Sequence, residues 1–313
     1  MLRGLFIAIF LFLGACTQDA VQTLSGKTMG TSYTLKSVGV HIDKQLIEQR
    51  LEQLNQVFSN WDPNSEVSQL NRHNTGQWLS VSDDLYMVLE ASQVLYQQTQ
   101  GFFDPGIGRL IELWGFGVAP ANGIPGVSAI TQAQAQSSIA HLELRDGQVK
   151  KHKDIHLNLS AIAKGYAVDQ LGRILSAKGS ENFMIEIGGE VLVRGSNDNQ
   201  PWRIGVEMPD NQKPILLELN NQAVATSGDY RNYFYYQGRA YAHILDPKTG
   251  APTKSDIASV SVVANSTLLS DAYATALQAM GSEQAVQLAK KHNLQVLMIL
   301  NKDKEHQVIK LNL

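Results

Sequence analysis

Asp271 and Thr275 stand four residues apart in the segment Ser270-Asp271-Ala272-Tyr273-Ala274-Thr275. At helical spacing the two side chains share one face. A carboxylate beside a hydroxyl supplies hard oxygen ligands of the kind Mg²⁺ accepts, with water or backbone carbonyls completing an octahedron. Read alone, Asp271 is a first-turn carboxylate favoured by the helix dipole. Upstream, Ala242-His243-Ile244-Leu245-Asp246-Pro247-Lys248-Thr249-Gly250 closes a strand and enters a turn. His243 is a candidate general base there, because an imidazole titrates near neutral pH. The plainer reading is a polar residue at a strand edge.

Three further segments carry residue types that packing alone does not ask for. Leu157-Asn158-Leu159-Ser160-Ala161-Ile162-Ala163-Lys164-Gly165 reads as a strand turning into a helix with Ser160 near its N-cap. Small side chains and a lysine at a helix N-terminus form an anion site, although the glycine-rich loop of a Walker A motif is missing. The bland alternative is a capped helix with a surface lysine. Gly101-Phe102-Phe103-Asp104-Pro105-Gly106 and Trp114-Gly115-Phe116-Gly117 combine glycines, which let backbone approach a ligand, with aromatics able to flank a planar ring. Thr28-Met29-Gly30-Thr31 is a small-residue turn before a strand. His152 and His156 have no third ligand at a metal-binding spacing, and neither HExxH nor CxxC occurs, so a zinc site is not expected.

The elements that must position these residues are legible from periodicity. Ile47, Leu51, Leu54 and Phe58 mark one helix face, and Leu85, Val88, Leu89, Ser92, Leu95 and Tyr96 another, with Ser82 as N-cap. Ala163, Ala167, Leu171 and Leu175 mark a third helix closed by Gly179. Leu268, Ala272, Thr275, Ala279 and Met280 mark a fourth, closed by Gly281. Asp146-Gly147 joins His141–Leu144 to Gln148–Lys151 as a hairpin, and Gln237-Gly238 joins Tyr233–Tyr236 to Ala240–Leu245. Phe183–Ile187, Val191–Val193, Ile204–Val206, Ile215–Leu219 and Ser259–Val263 read as short strands, and residues 117–129 as a long loop. Helices and strands mix without strict alternation. An α+β fold with mixed, largely antiparallel sheets and packed helices is expected.

The N-terminus points to export. Arg3 precedes the apolar run Leu5 to Leu13, too short for a membrane span but suited to a signal-peptide core. Leu13-Gly14-Ala15-Cys16 resembles a bacterial lipobox, with Cys16 as the lipidated residue. As the sole cysteine of 313 residues, Cys16 has no disulfide partner. Residues 1–15 are therefore expected as a lipoprotein signal peptide and 16–25 as a tether. Residues 26–313 would form the body, one domain or two intimately packed lobes, lipid-anchored on the periplasmic side of a bacterial membrane. A net charge of −3 without a basic stripe argues against a nucleic-acid partner.

In order and wording, these segments resemble the ApbE family of FAD:protein FMN transferases. The resemblance runs from about residue 25 to the C-terminus and also covers Ile185-Glu186-Ile187-Gly188-Gly189-Glu190 and Ala225-Thr226-Ser227-Gly228-Asp229-Tyr230-Arg231. It implies Mg²⁺-dependent transfer of FMN from FAD to a threonine hydroxyl of a target flavoprotein, an electron-transfer complex subunit, with release of AMP. It also implies FAD contacts at Met29, Trp61, Phe102, Phe103, Asp104, Asn158, Lys164 and Leu245. The metal ligands implied are Asp271 and Thr275 by side chain, and Ala161 and Ala274 by backbone carbonyl. Asn158 and Ala274 depart from relatives that carry aspartate there, which removes charge from the first and a possible ligand from the second. An FAD pyrophosphatase and a non-catalytic flavin-binding lipoprotein are the alternatives. Thr249-Gly250-Ala251-Pro252-Thr253, faintly like a flavinylation acceptor, reads better as a Pro/Gly turn.

Overall fold

The structure, a computed structural model, describes residues 21–119, 123–209, 212–228, 233–236, 239–302 and 305–313. The leader, Cys16, the Asp229-Tyr230-Arg231 segment and the expected Gln237-Gly238 turn lie outside the described residues. Eight α-helices occur among the described residues. In chain order they are α1 (Lys44–Phe58), α2 (Glu66–Arg72), α3 (Asp83–Gln98), α4 (Gly108–Leu113), α5 (Val127–Ala135), α6 (Ala163–Ala177), α7 (Thr267–Met280) and α8 (Ser282–Lys291).

The frame is an eight-stranded, fully antiparallel sheet. Its strands lie side by side in the order they occur along the chain, beginning with Val21–Thr28 and Thr31–Val38 and ending with Gln295–Lys302 and Glu305–Leu311. The first pair is joined by Met29 and Gly30, both at positive φ (47° and 74°), the geometry that suits the twist of a two-residue hairpin. Strand alternation then supplies two cores. Leu192, Val260, Val262 and Met298 face α1, α3, α6 and α7 in the main core, while Val191, Val193, Val224 and Leu297 face the hairpin of Trp202–Val206 and Ile215–Leu219. The central sheet is thus buried on both sides, with helices segregated to one of them. This is the expected α+β arrangement.

Local readings hold where spacing alone decides. Ile47, Leu51, Leu54 and Phe58 are the four buried residues of α1, each contributing about 1.5–3 kcal/mol by leaving water. Ser82 caps α3 by accepting the Leu85 N–H. Asp146 and Gly147, at φ 50° and 74°, turn the hairpin of Leu142–Arg145 and Gln148–Lys151.

Four expectations need correction. Residues 21–25, expected as part of a tether, are strand instead: Val21–Ser25 pair with Thr34–Val38. The loop expected over 117–129 ends earlier, since α5 begins at Val127. Ala240–Leu245 is not one strand: Arg239–Ala242 pairs with Tyr233–Tyr236, and the chain bends at His243 before Leu245–Asp246 folds back on Ala251–Pro252. Residues 157–162 are irregular rather than strand, and α6 starts at Ala163 with Ile162 in the N-cap position and no side-chain cap of its own. Ser160 lies before the helix.

Candidate active site

A cavity of about 540 Å³ opens where the N-terminal turn of α6 meets the middle of α7. That volume is within the range of small-molecule sites. Its lining comes from stretches far apart in sequence. Phe102, Phe103 and Asp104 contribute to it, as do Asn158, Ser160, Ala161 and Lys164, the Gly188–Glu190 turn at the head of a sheet strand, and residues 205–207 and 226–228. His243 to Leu245 line it too, together with Asp271 and Thr275 of α7.

The loop under Asn158 is held from below. Asn71 and Asn60 both donate to the Leu157 carbonyl, at 2.9 and 2.7 Å, and Asn71 Oδ1 accepts the Leu157 N–H at 2.7 Å. Asn158 donates its N–H to Pro105 at 2.8 Å, and its side-chain oxygen accepts from Ser160 N at 3.0 Å. Facing it, Asp104 Oδ1 accepts from Gly106 and Ile139, both at 2.8 Å. Burial outweighs these donors and raises the Asp104 pKa above the usual carboxylate value. A Cβ at Gly106 would stand 2.4 Å from backbone atoms of Ser138 and Ile139, so glycine is required for this approach.

Asp271 is 6% exposed and belongs to the second turn of α7, not the first. Its Oδ2 accepts the Gly165 N–H at 3.1 Å, serving the N-terminus of the other helix. This long-range cap takes the place expected of Ser160. Burial, with a smaller push from Asp169, raises the Asp271 pKa against the opposing pull of Lys164. Lys164 is no plain surface lysine. Its Nζ lies 2.7 Å from Glu190 Oε2, an ion pair inside the cavity wall. Burial alone would lower the Lys164 pKa; the charges of Glu190 and Asp271 outweigh it and raise it. Glu190 is 2% exposed, and burial reinforced by Asp271 pushes its carboxyl well above the usual range.

The segment carrying Leu245 is braced by α4 and α5. Leu245 packs with Leu110 and Trp114, and Trp114 Nε1 donates to the Gly250 carbonyl at 2.8 Å. Lys248 Nζ stands 3.9 Å from the Phe102 ring centroid, closing the rim by a cation–π contact.

Of the residues singled out from sequence, Phe102, Phe103, Asp104, Asn158, Ala161, Lys164, His243, Leu245, Asp271 and Thr275 all line this cavity. Three do not. Ala274 is buried in the main core on the inner side of α7. Met29 packs partly against that core at the hairpin tip, whose Thr31 touches Gly188 of the cavity wall. Trp61 is 65% exposed, one residue from Asn60 under the Asn158 loop. Sequence reasoning gave no role to Glu190, Glu207 or Thr226, which also line the site. For Glu190 a signal was present: an acid follows a glycine pair and opens an otherwise apolar strand.

The donor set suits a hard cation. Asp271 Oδ1 and the Thr275 hydroxyl carry no hydrogen bond among the described residues, and Ala161 lines the same cavity. No cluster of three or more His, Cys, Asp and Glu that could hold a metal occurs among the described residues. Any ion here leans on one carboxylate and neutral oxygens.

Comparison with known proteins identifies the family. The model of the ApbE family matches residues 29–298. The FAD:protein FMN transferase of Vibrio cholerae is 37% identical over 95% of this chain and 93% of its own length, and that of Haemophilus influenzae is 34% identical over 95% and 92%. Among solved structures, the flavin transferase ApbE from Vibrio cholerae superposes with a TM-score of 0.87 at 35% identity, covering 94% of this chain and 97% of its own. The flavinyl transferase ApbE of Pseudomonas stutzeri gives 0.88 at 32% identity, covering 95% and 96%. With the family model spanning most of its length and relatives of this identity covering nearly all of it, the chain belongs to the ApbE family.

Proposed function

We propose that this chain is an FAD:protein FMN transferase that moves FMN from FAD to a threonine hydroxyl of a target flavoprotein in a Mg²⁺-dependent reaction. The observation that carries the reading is the convergence of Lys164, Asp271, Thr275, His243 and the Phe102-Phe103 pair on one cavity from four distant segments. The relatives named for this activity match over almost the whole chain.

The chemistry follows from the charges. A pyrophosphate is a hard anion, and Lys164 meets it as a cation already held inside the site. Asp271 and Thr275, with the Ala161 carbonyl, would hold Mg²⁺, which when bound neutralises phosphate oxygens and stabilises charge built up in the transition state. The acceptor threonine oxygen attacks the FMN-side phosphorus, a new P–O bond forms, and the bond to the AMP oxygen breaks. His243, which lines the same cavity as Asp271, takes the hydroxyl proton, a step worth about 10²–10⁴-fold. Phe102 and Phe103 offer ring faces to a planar group and keep that side of the site dry.

The same reading places the protein at the periplasmic face of a bacterial membrane, tethered through Cys16. Support comes from Arg3, the apolar run Leu5 to Leu13 and the Leu13-Gly14-Ala15-Cys16 sequence. Among the described residues, no helix is long and apolar enough to cross a membrane. Loss of the protein from membrane fractions on Cys16→Ala tests the tether.

The function is tested by incubating the protein with FAD, Mg²⁺ and candidate acceptor flavoproteins. The expected outcome is an FMN mass increment on one threonine that survives denaturing gels, lost with chelator and in Asp271→Ala. AMP and free FMN without label on any acceptor would make the chain a hydrolase, and full labelling in the presence of chelator would remove the metal from the mechanism.

A further inference from the structure

Glu190 is the most deeply buried acid of the cavity wall, and packing gives no reason for it. It opens a sheet strand directly after Gly188 and Gly189, both at positive φ (62° and 104°). The residues that follow, Val191, Leu192 and Val193, are buried and apolar. A carboxylate at the head of such a strand loses its hydration, and it is tolerated only when paired. Its partner here is the Lys164 ammonium, 2.7 Å from Oε2.

Lys164 needs such a partner to be useful. Its side chain is flexible and 29% exposed, and it stands at the second position of α6, where the helix dipole repels a cation. Asp271 attracts the same ammonium from across the first turn of α6. Without Glu190 the lysine has two other destinations, solvent and the Asp271 carboxylate. The second would occupy the oxygen that the functional reading assigns to the metal.

We propose that Glu190 is a positioning residue for FAD binding: it holds the Lys164 ammonium inside the cavity, preplaced for a phosphate oxygen of FAD and drawn away from Asp271. This rests on the FAD reading. In this role Glu190 acts through Lys164.

The test is a double-mutant cycle read by FAD fluorescence anisotropy on the full chain without metal. The variants are Glu190→Ala, Lys164→Ala and the pair, each checked by thermal melting. Glu190→Ala should weaken FAD binding by about tenfold or more, and the same change should move binding less than about twofold once Lys164 is alanine. Glu190→Asp keeps the charge on a shorter arm and should recover part of the loss, again only when Lys164 is present. With Mg²⁺ and an acceptor, the loss should fall on KM for FAD far more than on kcat. Equal effects of Glu190→Ala in both backgrounds, or wild-type affinity in that variant, would overturn the proposal. If Glu190→Ala does not fold, the Glu190→Asp cycle decides by the same criterion. A wild-type chain that binds no FAD would overturn the FAD reading itself and this proposal with it. FAD binding with additive effects would overturn this proposal alone.

Discussion

Asp169 and Asp271 cap each other's helices. Asp169 of α6 accepts the N–H groups of Thr267 and Leu268 at 2.8 and 2.9 Å, at the start of α7. Asp271 of α7 accepts the N–H of Gly165 at 3.1 Å, in the first turn of α6. The two helices therefore satisfy one another's orphan donors across their contact. Only one of the two acids also faces the cavity.

That division separates fold from chemistry. Asp169→Ala should lower stability by about 1–2 kcal/mol, the typical worth of a cap. Asp271→Asn keeps an oxygen for Gly165 while removing a charge that burial disfavours. FMN transfer should fall roughly 10²–10³-fold, the scale of losing one preorganised electrostatic contact, without loss of melting temperature. The sign follows from the raised folded pKa of Asp271. Its ionised form weakens the fold as pH rises above the ordinary 3.8, and below that value both states are protonated. Any gain in melting temperature for Asp271→Asn should thus shrink in acid, and a gain that grows on acidification would contradict this account.

Gly165→Ala sets helix propensity against packing. Alanine gains about 0.5–1 kcal/mol over glycine inside a helix. A Cβ at this position would lie 2.5 Å from the Thr267 carbonyl oxygen and 2.9 Å from the Asp271 Cβ. Both neighbours are held by the α6–α7 contact, so the clash wins. Net destabilisation of about 1–3 kcal/mol is expected, as for other overpacked sites, with FAD affinity reduced. Chemical denaturation and FAD titration check the two halves.

Arg50, Asp84 and Tyr166 tie α1, α3 and α6 together behind the site. Arg50 donates to both Asp84 oxygens at 2.8 and 2.6 Å, and Tyr166 adds a third bond at 2.7 Å. Burial alone would raise the Asp84 pKa, but these donors outweigh it and hold it below 3.8. The unfolded chain then binds the proton more readily than the folded one, and stability rises with pH. The contribution is present above about 3.8 and is lost as pH falls through the depressed folded value. Asp84→Asn should cost about 1.5–3 kcal/mol near neutrality, and the gap to wild type should narrow on acidification in pH-dependent melting curves.

Trp114→Phe removes the donor to the Gly250 carbonyl while keeping an aromatic ring against Leu110 and Leu245. Leaving that carbonyl unpaired should cost about 1–3 kcal/mol. Because the same contact braces the wall carrying Leu245, FAD affinity should also drop. Unchanged affinity with lowered stability would show that the brace serves the fold alone.

Sequence spacing by itself determined the elements whose causes are local. The i, i+4, i+7, i+11 apolar set of α1, the Ser82 cap and the Asp146-Gly147 turn depend on residues a few positions apart, and each stands as expected. The same holds for Asp271 and Thr275 sharing one face of α7, both open to the cavity. Tertiary structure decided what those faces meet. Ser160 does not cap α6, because a carboxylate 106 residues away reaches Gly165 instead. The strand expected over Ala240–Leu245 breaks because Leu245 is drawn into the cluster of Leu110 and Trp114. The sequence offered Lys164 as part of an anion site or as a surface lysine, and nothing near it in sequence marks Glu190 as its partner. Periodicity records which side of an element is apolar, a property of neighbours along the chain. Which charge stands opposite is set by helices and strands packing across the sheet, and no local spacing records that.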